Sequence, residues 1–427
     1  MKNVFSDRNF RLVFFGALVS NVGALFYSFA VSFYILEITE NNAFLQGLYL
    51  GLCGAVSLIF MPIGGIFGDR FNKAKIMFVC DYLKGGVILL ATAAMLVLRT
   101  HTAHLIILFA VGVLGNAVGG VFAPASGALL PHIVDEQQLQ QANSYFSIMG
   151  SLQSIFGVVL AGVLYAALPI HLLFLIIGVC YVASGVSEMF IRYAHQPKED
   201  RLTLRTAVSD FAEGLRYIKT QKALLAMMFA ILFINFFFTP FVSNFIPFFI
   251  KTDLAGAPRY LLDAIIAPEQ WMSVLEVLIG ASSLVAALVL STQPQAEKVG
   301  RAVSCRLLAI AGIMLAATVG YWVLVARGVS LDAFLILLAL GSLLIGAIIV
   351  FINIPTNTVL MRIVDKDKLS KVNSVISISS QGLIPIASVL AGLILQSLGS
   401  TALLIFCTVG FIATALSMLL NLRVKEI

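Results

Sequence analysis

Apolar positions along this chain do not alternate. They come in long stretches, and most polar residues are confined to the short gaps between them. A helix needs about 20 mainly apolar residues to cross the hydrocarbon core of a bilayer. Stretches of that length lie near 10–37, 43–68, 76–98, 103–129, 142–168 and 170–192, and again near 223–250, 272–292, 303–326, 331–360, 372–398 and 400–422. The pattern predicts six helices, a polar segment, and six more. One polar phrase recurs: "IVDEQQLQQANS" at 133–144 returns without gaps as "IVDKDKLSKVNS" at 363–374. The same offset of 230 carries Ser147-Ile148 to Ser377-Ile378, "VLAG" at 159–162 to 389–392, and Leu168 to Leu398. A constant offset over such a length marks a duplicated unit. Both copies fall between the fourth and fifth helix of their half. Asp135 and Asp365 suit an N-cap there, accepting from orphan amides and opposing the helix dipole. Asn143 and Asn373 then sit in the first turns of helices 5 and 11.

Composition identifies the solvent. Of 427 residues, 60% are hydrophobic and 11% charged, whereas a soluble domain has about 45–50% and 25%. No water-facing surface can be assembled from this, so the partner of most of the chain is a lipid bilayer. The net charge of +6 would suit nucleic acid, but the placement of Lys and Arg has a topological cause. With both termini inside, twenty-two fall on the cytoplasmic side, four (Arg99, Lys251, Arg259, Arg327) outside, and Lys84 within the membrane. That positive-inside bias predicts a multi-pass protein of the cell membrane with cytoplasmic termini. The five cysteines sit in apolar runs without metal or disulfide spacing and read as core hydrophobes. The first apolar run is too long for the core of a cleavable signal peptide. No cofactor and no metal are expected.

The predicted organisation is a six-helix bundle over 1–193, a cytoplasmic linker over 194–222, and a second bundle over 223–427. In the linker, Leu204, Val208, Phe211, Leu215 and Ile218 recur at helical spacing opposite charged residues, which predicts an amphipathic helix along the membrane surface. The expected fold is therefore all-α and integral to the membrane, with twelve transmembrane helices in two pseudo-symmetric bundles. Parallel six-helix repeats of this kind are the plan of the major facilitator transporters.

The loop after helix 2 reads "GGIFGDRFNKAK". It resembles the facilitator motif Gly-x-Leu-x-Asp-Arg-x-Gly-Arg-Lys: Gly65, Phe67, Asp69 and Arg70 match, and Lys73 stands for the second Arg. Asn72 replaces the second Gly, and if φ > 0 is required there, Asn is the most tolerant substitute. The resemblance implies a latch, in which the Asp docks against the N-terminus of helix 11 and the basic residues pair around it. "FAPASGALLPHIV" with a following "ANS", and "DFAEGLRYIKTQKAL" in the linker, are similar to the facilitator branch of macrolide and tetracycline exporters and the enterobactin exporter. The chain departs from that branch twice. Helix 4 carries no Arg in "FAVGVLGNAVGG", and Val158 stands where the helix 5 antiporter motif has proline. Both departures remove part of the proton-antiport pattern.

Ionisable residues inside a membrane are costly and mark function. Asp81 and Lys84 are the deepest; their i,i+3 spacing allows a pair on one face, which would either tie helix 3 to its neighbours as a static ion pair or leave a desolvated carboxylate that couples protons to transport. Glu276 is the next coupling candidate. Glu188 is read as an interfacial pair with Arg192, Glu37 as an outer helix end, and the "HTAH" at 101–104 as no metal site. Polar handles for a substrate path fall at Asn21, Tyr27, Asn116 and Gln153 in the first half. Asn235, Asn353 and Gln381 supply them in the second half. Each could equally serve as an interhelical hydrogen bond. Helix 7 reads "NFFFTPFVSNFIPFF"; Pro240 and Pro247 loosen its ladder, and Phe238 with its neighbouring rings would wall a greasy pocket.

These readings converge on a secondary exporter of amphipathic organic compounds of macrolide or tetracycline type. It would work by alternating access as a monomer, with protons as the coupling ion. Siderophores and lysophospholipids are the other substrate classes. A transport-inactive receptor is the alternative of a different kind. The chain has no Walker motif for direct use of ATP and no nucleophile–base pair that would make it an enzyme.

Overall fold

The computed structural model describes residues 4–134, 138–192, 212–213, 215–291, 300–364 and 369–420. The surroundings of Gly65 and the side chains of Asp69 and Arg70 lie outside that description, as do Asp135, Asp365, the side chains of Asn143 and Asn373, and the apolar face at Leu204, Val208 and Phe211.

Almost every apolar stretch is a helix, because in lipid the backbone must satisfy its own hydrogen bonds. In the first half these are α1 (Arg8–Ile38), α2 (Ala43–Arg70), α3 (Lys73–Val97), α4 (His101–Ile133), α5 (Leu139–Leu152), α6 (Val158–Ala167) and α7 (Ile170–Met189). In the second they are α8 (Lys222–Pro240), the single turn α9 (Ile246–Phe249), α10 (Gln270–Ser291), α11 (Gly300–Gly320), α12 (Leu331–Ile363), α13 (Leu369–Gly382) and α14 (Ile384–Leu420). Among the described residues ten helical segments are long and apolar enough to cross a membrane.

Five interruptions separate this list from uniform rods. A π-turn over Gln153–Gly157 joins α5 to α6. Two more, at Phe241–Phe245 and Ile250–Leu254, lie where Pro240 and Pro247 remove amide donors from the ladder. A fourth, Tyr321–Val325, ends α11. Gly399 breaks α14 with φ 82°, a left-handed conformation that costs glycine nothing sterically.

The duplication is visible in the helices themselves. α4 and α12 begin and end 230 residues apart, and so do α5 and α13. All eight buried residues of α7, from Leu173 to Glu188, map at that offset onto buried residues of α14, from Leu403 to Met418. Val134, Ala142 and Tyr145 pack in one apolar cluster, and their counterparts Val364, Val372 and Val375 pack in another.

The chain forms two compact units, Met1–Glu40 with Leu52–Ala207, and Asn41–Gly51 with Val208–Ile427. The first turns of α2 therefore cluster with the second unit. In the first unit α7 packs on α1 and α3, and α3 on α4; in the second α10 packs on α12, and α14 on α8 and α11. Ile218, at the end of the linker, is fully buried against Leu224, Met228, Val364, Val372 and Val375, with Leu215 beside it. At that end the apolar face packs on protein.

Candidate functional site

The most unusual site lies where α3, α7, α1 and α4 meet in the first unit. Glycines bring α3 and α7 together: a Cβ on Gly85 would stand 3.1 Å from the Gly178 carbonyl oxygen, and one on Gly178 3.4 Å from that of Gly85. Close approach through small residues is how membrane helices gain packing energy without a hydrophobic drive. Below this contact α3 presents Cys80, Asp81 and Lys84, and α7 presents Tyr181, Ser184 and Glu188.

Asp81 is 1% exposed and Glu188 is 0% exposed. All four of their carboxylate oxygens are buried without a hydrogen-bond partner. The Ser184 hydroxyl lies beside Asp81, but it donates its proton to the Gly16 carbonyl at 2.9 Å. It can therefore accept from Asp81 and cannot donate to it while that bond stands. Gly16 also makes room for Glu188; a Cβ there would stand 3.3 Å from Glu188 Cγ. The Lys84 ammonium rests 5.2 Å from the Phe122 ring centroid and 5.4 Å from that of Tyr181, within cation–π range. α4 makes space for it at Gly119, where a Cβ would lie 3.6 Å from Nζ.

Two expectations change here. The pairing of Asp81 with Lys84 is not a contact: the carboxylate makes no hydrogen bond and the ammonium faces two rings. Lys84 acts on Asp81 as a nearby charge. Glu188 does not pair with Arg192. The helix ends at Met189, so the i,i+4 geometry is lost, and Arg192 is exposed, its backbone clasped to Asn9 at 2.9 and 2.7 Å. Glu188 instead turns inward, with Asp81 and Lys84 as its charged neighbours. Helical phase carried that signal, since Tyr181, Ser184, Gly185 and Glu188 share one face at spacings of three and four.

The remaining candidates are dispersed. Lys73 is the buried first residue of α3. Asn72 has φ −60° and ψ 115°, and its side chain caps α3 by accepting from Lys75 N at 3.2 Å. It stands in for the motif's glycine as a cap and does not adopt a left-handed backbone. Asn21 is exposed on α1. Tyr27 is half-buried, its ring 5.7 Å from that of Phe174. Asn116 donates to Gly112 O of its own helix at 2.8 Å. Gln153 is buried in the π-turn and donates to Leu18 O at 3.1 Å, which ties α5 to α1. In the second unit Asn235 is half-buried, while Asn353 and Gln381 are exposed. Phe238 packs 6.1 Å from Phe411. Glu276 is half-buried on α10.

Of the helix 7 rings, Phe241 and Phe245 are buried. Phe245 belongs to an aromatic core with Phe249, Tyr321 and Phe334. The "HTAH" histidines are structural ties: His101 meets Ile38 O, and His104 joins Tyr34 OH to Met95 O. Glu37 accepts from Tyr165 OH at 3.0 Å.

The chain is 24% identical over 400 residues, 92% of its length, to the MFS-type transporter YvqJ of Bacillus subtilis, whose own length is covered to 87%. It is 24% identical to YkuC of the same organism over 279 residues, where the match spans 60% of that relative. Macrolide efflux protein A of Streptococcus pyogenes is 23% identical over 261 residues, 59% of this chain and 62% of that one. Among solved structures, a nucleoside transporter, NupG, superimposes with a TM-score of 0.72 at 12% identity over 96% of this chain and 98% of its own. A bacterial homologue of the iron transporter ferroportin in an inward-facing state does so at 0.67 and 16%, over 96% and 98%. These structures share the fold. The sequence profile of the Major Facilitator Superfamily matches residues 13–387, and this chain belongs to that superfamily of multi-pass membrane transporters.

Proposed function

We propose that this protein is a proton-coupled exporter of amphipathic organic compounds. The observation that carries the coupling is the buried trio of Asp81, Lys84 and Glu188, because ionisable groups at such a cost to folding are retained for charge movement. Export is supported by relatives named for it, a macrolide efflux protein and putative bacilysin exporters of Bacillus. Twelve spans are proposed: α5, its π-turn and α6 make the fifth, and the break at Gly399 divides the eleventh, containing α13, from the twelfth. The two bundles and the linker retain the bounds 1–193, 194–222 and 223–427, both termini are placed in the cytoplasm, and the protein acts as a monomer. Gly65, Asp69, Arg70 and Lys73 form the cytoplasmic latch. Asn21, Tyr27, Asn116 and Gln153 are proposed substrate contacts in the first half, and Asn235, Phe238, Asn353 and Gln381 in the second. Glu276 is held as a second coupling acid.

The test is uptake of a panel of macrolides, tetracyclines, siderophores and lysophospholipids into inverted membrane vesicles, with and without a pH gradient. Accumulation of the drugs only when the vesicle interior is acidic supports the proposal. Accumulation of siderophore or lysophospholipid alone would replace the substrate class, and gradient-independent uptake would remove the coupling.

A further inference from the structure

The duplication supplies an internal control for the charged trio. At the offset of 230, Asp81 corresponds to Ala311, Lys84 to Met314 and Glu188 to Met418. The register is secure because Lys73, Ala74, Met77, Cys80 and Asp81 map onto Val303, Ser304, Leu307, Ile310 and Ala311, all buried. Ala311, Met314 and Met418 are themselves buried, at 2%, 1% and 6% exposure. The second unit thus builds the same helix contact with apolar side chains, and stitches it with Thr318 and Thr408, whose hydroxyls meet at 2.7 Å. The fold does not require charge at these positions.

In the first unit the balance of charges is odd. Two acids face one base. Among the described residues nothing else corrects the count: from α3 and α7 the other titratable neighbours are Cys80, Cys180 and Tyr181, and α1 and α4 contribute Gly16, Gly119 and Phe122. Two ionised carboxylates and one ammonium in a dry site would leave an uncompensated anion, at a cost of several kcal/mol. A proton on one acid removes it. Lys84 lies three residues from Asp81 on the same face, whereas Glu188 reaches the group from another helix and has neither a donor nor water-exposed surface.

We infer that Asp81 and Glu188 form a single-proton site in which Lys84 is the fixed counter-charge and Glu188 holds the proton in the state seen here. The use of that proton in transport rests on the coupled-export reading above; the site itself does not. Ser184 and the Gly16 carbonyl then act as positioning groups, holding α7 so that Glu188 faces α3 and α1.

The experiment uses purified full-length protein in detergent and needs no substrate. The infrared spectrum of the wild type at neutral pH should show a protonated-carboxyl C=O band from Glu188. Glu188→Gln should abolish it, because Asp81 and Lys84 then balance one to one. The triple variant Asp81→Ala, Lys84→Met, Glu188→Met carries the second unit's own residues; it should remain monodisperse, with an undiminished thermal midpoint, and also lack the band. A wild-type minus Glu188→Gln difference spectrum without such a band overturns the site. A triple variant that fails to fold shows the trio to be structural and overturns it equally. Loss of the band in Glu188→Gln, with wild-type transport insensitive to pH gradients, would leave the proton site standing and sink the coupled-export reading instead.

Discussion

Gly47 rests directly on the backbone of Ser388: a Cβ added to it would overlap the Ser388 carbonyl oxygen and stand 2.9 Å from Gly392 Cα. One turn further along α2, a Cβ on Gly51 would lie 2.6 Å from Pro385 O. The crossing is locked by Gln396, whose side-chain oxygen accepts from Ala43 N at 3.0 Å, and Asn244 donates to the same Ser388 carbonyl at 3.3 Å. Gly47→Leu should force these backbones apart and destabilise the protein by about 1–3 kcal/mol, the usual cost of overpacking. Thermal unfolding in detergent measures it; an unchanged midpoint would show that α2 and α14 do not cross so closely.

A second glycine pair gives effects of opposite sign. Gly346 on α12 faces α10 so tightly that a Cβ would overlap Ser282 Oγ and Ile279 O and lie 2.8 Å from Ile279 Cα. Gly86 on α3 has nothing within 4 Å of such an atom. Gly346→Ala should lower the thermal midpoint, while Gly86→Ala should leave it unchanged or raise it, stabilising the protein by up to about 1 kcal/mol through the helical preference of alanine. Equal effects at the two positions would contradict the packing.

The proposed latch makes a conformational prediction. A carboxylate near the positive end of a helix gains about 0.3–2 kcal/mol, enough to shift a two-state population severalfold. Asp69→Asn should therefore move the protein towards the inward-open state, read as a longer distance between paired cysteine labels on the two cytoplasmic faces. An unchanged distribution would count against the latch.

The helices were legible because length and apolarity alone decide what crosses a bilayer, and their observed ends lie within a few residues of the apolar stretches. The repeat was legible only in its polar phrase and the few matches that follow it, as far as Leu168 and Leu398. The equal bounds of α4 and α12 needed the structure, because apolar sequence drifts freely while packing is kept. The π-turn at Gln153–Gly157 carries no proline and left no sequence mark. Pro240 and Pro247 did mark theirs. Gly47 and Gly51 form a small-xxx-small pattern that was there to be read, but only the structure shows which helix it meets. Glu188 was misplaced by pairing it along the sequence with Arg192, when the helix had already ended and its phase pointed inward.

Coupling requires an acid whose proton affinity differs between the two facing states, since only such a group transmits a gradient. Asp81 meets the structural conditions: it is buried on α3, free of hydrogen bonds, and next to a Lys84 that is engaged with the Phe122 and Tyr181 rings. A direct ion pair would have kept it charged in every state; the separation leaves its charge dependent on how α3 and α7 sit. Asp81→Asn keeps the shape, removes one negative charge and leaves Glu188 balanced by Lys84, so no proton is needed in any state. The variant should therefore lose accumulation driven by a pH gradient, at least tenfold in steady-state uptake into inverted vesicles. Substrate binding and passive counterflow should stay within about twofold of the wild type, because neither requires net proton movement. If Asp81→Asn still accumulates substrate against its gradient, Asp81 is structural, and Glu276 becomes the acid to replace. If counterflow is lost together with accumulation, the substitution has blocked the transport cycle itself, and the charge is needed for conformational exchange and not for coupling.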